Sequence, residues 1–104
     1  MRLIHTIPTL SKLAGGPSIT VTSLCSELAS LGNSVEILTQ NNKSISENNN
    51  VLPSNSLVKV FSISSSNLIH EKILVRNYRQ FLSSHLNKSN KQILHDHGVW
   101  LPWN

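Results

Sequence analysis

Residues 2–39, RLIHTIPTLSKLAGGPSITVTSLCSELASLGNSVEILT, decide the fold class. Leu3, Ile4 and Ile7 surround His5 and Thr6 in a short apolar run closed by Pro8, the pattern of a strand bound for a buried sheet. A loop over 11–17 follows and holds the only paired glycines, Gly15-Gly16. A helix is expected to begin at Pro17 or Ser18, because proline suits a first turn and a serine hydroxyl caps its free amides. Val21, Leu24, Cys25, Leu28 and Leu31 then recur at helical spacing, and Gly32 supplies the left-handed residue that ends many helices. Residues 35–39 make a second strand. Strand, glycine loop, amphipathic helix and strand in this compass predict a right-handed βαβ unit.

Beyond that unit the texture changes. Residues 41–56 carry Asn41, Asn42, Asn48, Asn49, Asn50 and Asn55 among serines, a composition that buries little apolar surface and predicts a mobile surface loop. Strand character returns over 57–63. Residues 67–86 suggest a second helix, with Leu74, Tyr78, Phe81, Leu82 and His85 on one face and Lys72, Arg76 and Arg79 on the opposite one. A last short strand is expected over 92–96 and a loop over 97–104. The order β-α-β-loop-β-α-β predicts an α/β, Rossmann-like open parallel sheet with flanking helices, as a single domain over 1–104. A doubly wound sheet wants further strands, so the chain is expected to be an incomplete domain with an uncovered sheet face and an exposed strand edge.

Nine Lys+Arg against five Asp+Glu give a net charge of +4, compatible with an anionic partner or with an ordinary basic surface. The single cysteine excludes an internal disulfide and a four-thiolate zinc site, and Cys25 among Val21, Leu24 and Leu28 suggests a buried packing residue. No run approaches the ~20 apolar residues of a membrane span, and no secretion signal opens the chain, so cytoplasmic residence is expected.

In open parallel sheets ligands bind outside the carboxyl ends of the strands. There Gly15-Gly16-Pro17-Ser18 leads into a helix N-terminus whose free amides suit phosphate, although Gly-Gly is also an ordinary turn. The third glycine of a dinucleotide fingerprint is missing, as is the Gly-Lys-Ser/Thr of an ATPase loop. His95-Asp96-His97-Gly98-Val99-Trp100 is the densest polar cluster, and His95 and His97 point to the same side of an extended strand. A zinc site needs a third protein ligand, which the remaining histidines do not supply at helical spacing, so no metal is expected. A serine-histidine-acid triad has no support, since no G-x-S-x-G elbow and no second aspartate besides Asp96 are present. His97 is either a loop residue bonding backbone or a donor or acid/base group facing sugar hydroxyls, with Trp100 an apolar plate against a ring. Lys72, Arg76 and Arg79 form either a solvated face or a stripe for peripheral docking on anionic lipid at the inner face of the membrane.

Three stretches, RLIHTIPTL (2–10), GGPSITVTSLCSELASLGNSVEILT (15–39) and ILHDHGVW (93–100), together resemble the N-terminal half of a family 4 glycosyltransferase of GT-B architecture. Asn33-Ser34 stands where many relatives have Gly-His, a departure without catalytic weight. The resemblance implies sugar transfer from a nucleotide-sugar donor to a saccharide or lipid-linked acceptor hydroxyl, as in polysaccharide assembly, with the nucleotide sugar as substrate and no metal or other cofactor. It implies that Gly15 and Gly16 touch the donor diphosphate, and that His97 and Trp100 belong to the acceptor side of the cleft. It also implies a second domain holding most of the donor, so that this chain alone is an inactive fragment whose catalytic residues are not identified. Nucleic acid is not an expected partner. The alternative is a non-catalytic α/β binding or interaction module.

Overall fold

The computed structural model describes residues 1–41, 50–64, 76, 79–84 and 91–98. Strand β1 (Arg2–Ile7) leads through a 3-10 turn (Lys12–Ala14) into helix α1 (Gly16–Ser30), followed by β2 (Ser34–Asn41), β3 (Lys59–Ser64) and β4 (Gln92–Asp96). Among the described residues every pairing between named strands is parallel and the strand order is β3-β2-β1-β4. The open parallel α/β sheet expected from the sequence is therefore the fold, with the expected strand limits moved by a residue or two. The chain lays down β1, β2 and β3 in one direction and then returns to the far side of β1 for β4. That reversal opens a crevice at the carboxyl ends of β1 and β4, the position where such sheets take their ligands.

Alternate residues of each strand face opposite sides of the sheet. Leu3, His5, Ile7, Val35 and Ile37 share one side, and α1 lies on it through Val21, Cys25 and Ala29. The helix is turned relative to the leucine periodicity. Its buried residues are Ser18, Val21, Thr22, Cys25, Ser26 and Ala29, whereas Leu24 and Leu31 are 39% and 79% exposed. Small side chains let the helix approach the sheet closely, and the hydroxyls of Thr22 and Ser26 are satisfied within the helix. Thr22 Oγ1 donates to the Ser18 carbonyl at 2.8 Å and Ser26 Oγ to the Thr22 carbonyl at 2.9 Å, so burying them leaves no orphaned donor.

The N-terminal end of α1 differs in detail from expectation, and the C-terminal end follows it. Gly15 occupies the N-cap at φ +85° without a side-chain cap, and Pro17 falls in the first turn. Ser18 does not cap: its buried hydroxyl reaches back to the carbonyls of Thr9 (3.2 Å) and Ser11 (3.0 Å), fastening the loop that follows β1. At the other end Gly32, at φ +90°, donates its N–H to Ala29, and Asn33 donates to Leu28. This paired arrangement closes the last carbonyls, and glycine meets the positive φ without steric cost.

The side of the sheet away from α1 is also covered where β1 and β2 run. Ile4 and Leu38 are 0% and 2% exposed there, and Phe61, level with Leu38, meets the Phe81 ring at 5.1 Å. Phe81 belongs to a helical stretch over 79–84; Arg76 is helical too, and the rest of the expected second helix lies outside the described residues. Exposure of the sheet's apolar residues is concentrated on β4, at Ile93 (50%) and Leu94 (45%). Of the Asn/Ser-rich loop, residues 42–49 lie outside the described residues, while its later part is anchored. Asn50 bridges Ser11, Val51 donates to the Leu10 carbonyl at 2.7 Å, and Asn55 Nδ2 donates to Ser26 O and Ser30 Oγ on α1.

Candidate functional site

The crevice between β1 and β4 is built from the strand ladder upward. His5 on β1 stands level with His95 on β4, so both imidazoles leave the sheet on the α1 side. Just past the end of β4 the His97 N–H donates to the Thr6 carbonyl at 2.8 Å, which extends the pairing and returns a third imidazole to the same side. Ring centroids are 5.3 Å apart for His5–His95, 5.3 Å for His5–His97 and 4.1 Å for His95–His97. Nδ1 of His5 and Nε2 of His97 lie 3.0 Å apart, one donating and the other accepting. His5 is buried, His97 half-buried and His95 exposed. On the other side of the sheet Thr6 Oγ1 donates to Asp96 Oδ1 at 2.7 Å, fastening the end of β4 to β1 a second time.

Burial, reinforced by repulsion from His97 and then His95, pushes the His5 imidazolium down to about 4. His97 is also held below its ordinary value, by burial first and by His95, with Asp96 opposing. Both rings are therefore neutral near pH 7, the form that takes or gives a single proton in a hydrogen bond and presents a nitrogen lone pair. Cys25 follows the opposite sign rule: burial pushes its thiol up to about 11. A protonated, buried thiol is a poor nucleophile, which agrees with the packing role read from its neighbours.

Next to the imidazoles an open concavity of about 530 Å³ is lined by Gly16, Pro17, Thr20, Val21, Leu24 and His97. The structure thus brings together Gly16 and His97, two residues singled out from separate parts of the sequence. The outward turn of α1 explains why Leu24 lines this space instead of the core. A Cβ added at Gly16 would meet nothing within 4 Å, so the chain's own packing does not require glycine there. Gly15 is different, because its φ of +85° is a conformation that side chains resist. Thr39 Oγ1, at the carboxyl end of β2, is buried without a hydrogen-bond partner. Trp100 and Lys72 lie outside the described residues, and Arg76 and Arg79 are exposed on helical backbone.

Sequence reasoning missed His5. Helical spacing does not reveal this third histidine, because the partner comes from a strand ninety residues earlier that the return of β4 places alongside. One signal was present: Arg2-Leu3-Ile4-His5 and Gln92-Ile93-Leu94-His95 share a pattern of long polar residue, two aliphatics and histidine, as aligned neighbours would.

Comparison of the chain with known protein families, with curated proteins and with solved structures finds no match. Among the described residues no helix is long and apolar enough to cross a membrane.

Proposed function

We propose that this chain forms the N-terminal, acceptor-side part of a glycosyltransferase that moves a sugar from a nucleotide-sugar donor to an acceptor hydroxyl. One observation carries the reading beyond the sequence resemblance: the glycine loop and His97 meet in a single open crevice at the point where the strand order reverses. The free amides at the start of α1 point their positive ends toward an incoming diphosphate, and nothing at Gly16 obstructs its approach. His97, neutral and half-buried, is suited to hydrogen-bond a sugar hydroxyl. The nucleotide sugar enters as substrate, the acceptor is a saccharide or a lipid-linked one, and a second, donor-holding domain completes the site, so these residues alone transfer no sugar. Arg76 and Arg79, both exposed, support a cytoplasmic enzyme resting on anionic lipid at the inner face of the membrane.

Isotope-labelled chain titrated with UDP, GDP and ADP, and separately with inorganic phosphate, tests the reading. The expected result is weak binding of a nucleoside diphosphate that moves the amide signals of Gly15, Gly16 and Ser18 and the ring signals of His97, and that Gly16→Val abolishes while the fold persists. Perturbations located elsewhere, or equal responses from wild type and Gly16→Val, would overturn it.

A further inference from the structure

We propose that His5, His95 and His97 form a binding site for one divalent transition-metal ion of the zinc type, with its remaining coordination position open to solvent beside the crevice. This inference stands on the three imidazoles alone and does not depend on the glycosyltransferase reading, which calls for no metal.

Each histidine offers a ring nitrogen, and the three nitrogens lie within 4.8 Å of one another. A tetrahedral zinc ion with Zn–N bonds of about 2.0–2.1 Å holds its ligand nitrogens roughly 3.3 Å apart. His5 Nδ1 and His97 Nε2, at 3.0 Å, already stand near that spacing. His95 is the exposed member, so its ring is the one free to adjust, and its nitrogen stands within 4.8 Å of the other two. A hydrogen-bonded His5–His97 pair is the simpler account of the 3.0 Å contact, but it assigns no role to a third imidazole held 4.1 Å from His97.

The backbone pre-organises the set. His5 and His95 are register partners on adjacent parallel strands, and the His97 N–H is held by the Thr6 carbonyl. Three imidazoles without a carboxylate among the ligand atoms favour zinc, cobalt, nickel or copper over magnesium or calcium, which prefer oxygen. Three protein ligands with a vacant fourth position are the arrangement of zinc sites that take water or a substrate atom, in contrast to closed structural sites. The ion would also join an exposed strand to a buried one, since His95 belongs to β4 and His5 to β1.

The test is calorimetric titration of Zn²⁺, with Mg²⁺ as control, into the full chain stripped with a chelator. One saturable Zn²⁺ per chain is expected, with no response to Mg²⁺. Because His5 is buried and its replacement disturbs packing, the decisive variant is His95→Gln, whose side chain is exposed and whose fold is checked by circular dichroism. At least tenfold weaker Zn²⁺ binding is expected from it. Amide exchange gives a second readout: Zn²⁺ should slow exchange over 94–97 in the wild type and leave His95→Gln unchanged. Absence of saturable binding, or equal affinity in the two proteins, overturns the proposal; equal affinity would place the ion on other side chains.

Discussion

Strands β1 and β4 lie side by side in register and share a pattern of two aliphatics and a histidine, Arg2-Leu3-Ile4-His5-Thr6 against Gln92-Ile93-Leu94-His95-Asp96. Their surroundings are opposite. β1 is buried along all but its first residue, whereas β4 is exposed along all but its first. A run of aliphatics flanking a histidine specifies an extended strand, but it does not specify depth. Depth comes from neighbours: β1 has a strand on each side, while β4, among the described residues, pairs with β1 alone. The difference matters for function, because it lets one histidine be fixed and dehydrated while its register partner remains accessible to a ligand.

The largest expected effect compares Ile4 with Leu94, partners in register on the same side of the sheet. Ile4 is 0% and Leu94 45% exposed. Ile4→Ala removes fully buried methyl groups and is expected to cost about 3–4 kcal/mol, and Leu94→Ala about 1 kcal/mol or less. Denaturant unfolding of the two variants measures both. Equal losses would break the comparison, by showing that β4 is as deeply packed as β1 in solution.

Acid sharpens the same contrast through His5. Its folded-state value of about 4 lies below the ordinary 6.5, so the unfolded chain binds its proton first. The stability this implies is fully present above pH 6.5 and is lost as the pH falls from 6.5 toward 4, by roughly 3 kcal/mol in all. His97 and His95, which face His5, act in the same direction by repelling its charged form. Unfolding of metal-free protein, followed in chelator between pH 7 and 4, should show this slope. His5→Leu should remove most of it, leaving a smaller part from His97. A variant that keeps the full slope would assign the acid sensitivity to other groups.

The parallel strands and the limits of α1 were legible in the sequence because they rest on local chemistry: aliphatic runs, the Gly15-Gly16-Pro17 entry and the Gly32 exit. Two other features were not. The buried stripe of α1 runs through Ser18, Thr22 and Ser26 instead of Leu24 and Leu31, because hydroxyls bonded to the preceding turn (Thr22, Ser26) or to the loop after β1 (Ser18) behave as small, satisfied groups. Leucine spacing marks an amphipathic helix without saying which of two possible stripes fits a sheet closely. The histidine cluster was hidden for a different reason. It depends on β4 returning beside β1, a non-local choice among strand orders that local spacing does not encode and that only the likeness of residues 92–95 to 2–5 signals. The Gly16–His97 juxtaposition was legible in outline, since both follow strand ends and parallel strands gather those ends at one edge.

The two glycines ahead of α1 offer a smaller effect that separates folding from binding. Gly15→Ala places a side chain at φ +85° and is expected to cost about 1–2 kcal/mol. Gly16→Ala meets open space in the first helical turn and is expected to change stability by about 0.5 kcal/mol or less. Thermal unfolding distinguishes them. Gly16→Ala should weaken the nucleoside diphosphate response without loss of fold, and a matching loss of stability at both positions would make Gly16 a turn residue only.

The smallest expected effect reverses the usual rule that buried residues matter more than exposed ones. Thr6 is fully buried on β1 and Asp96 exposed on β4, and the Thr6 hydroxyl donates to the Asp96 carboxylate at 2.7 Å. Thr6→Val keeps the shape of the side chain and removes the donor, and the carboxylate it abandons is free to bind water. Asp96→Ala instead leaves the buried Thr6 hydroxyl without its acceptor. An unsatisfied buried donor costs more than the net worth of the bond it has lost. The expected order is therefore about 1 kcal/mol for Asp96→Ala and about half of that for Thr6→Val, with the double variant close to Thr6→Val alone. Chemical unfolding of the three variants completes the cycle. If Thr6→Val proves the more damaging, the hydroxyl holds β1 in place by packing, and the bond is not what fastens β4 beside it.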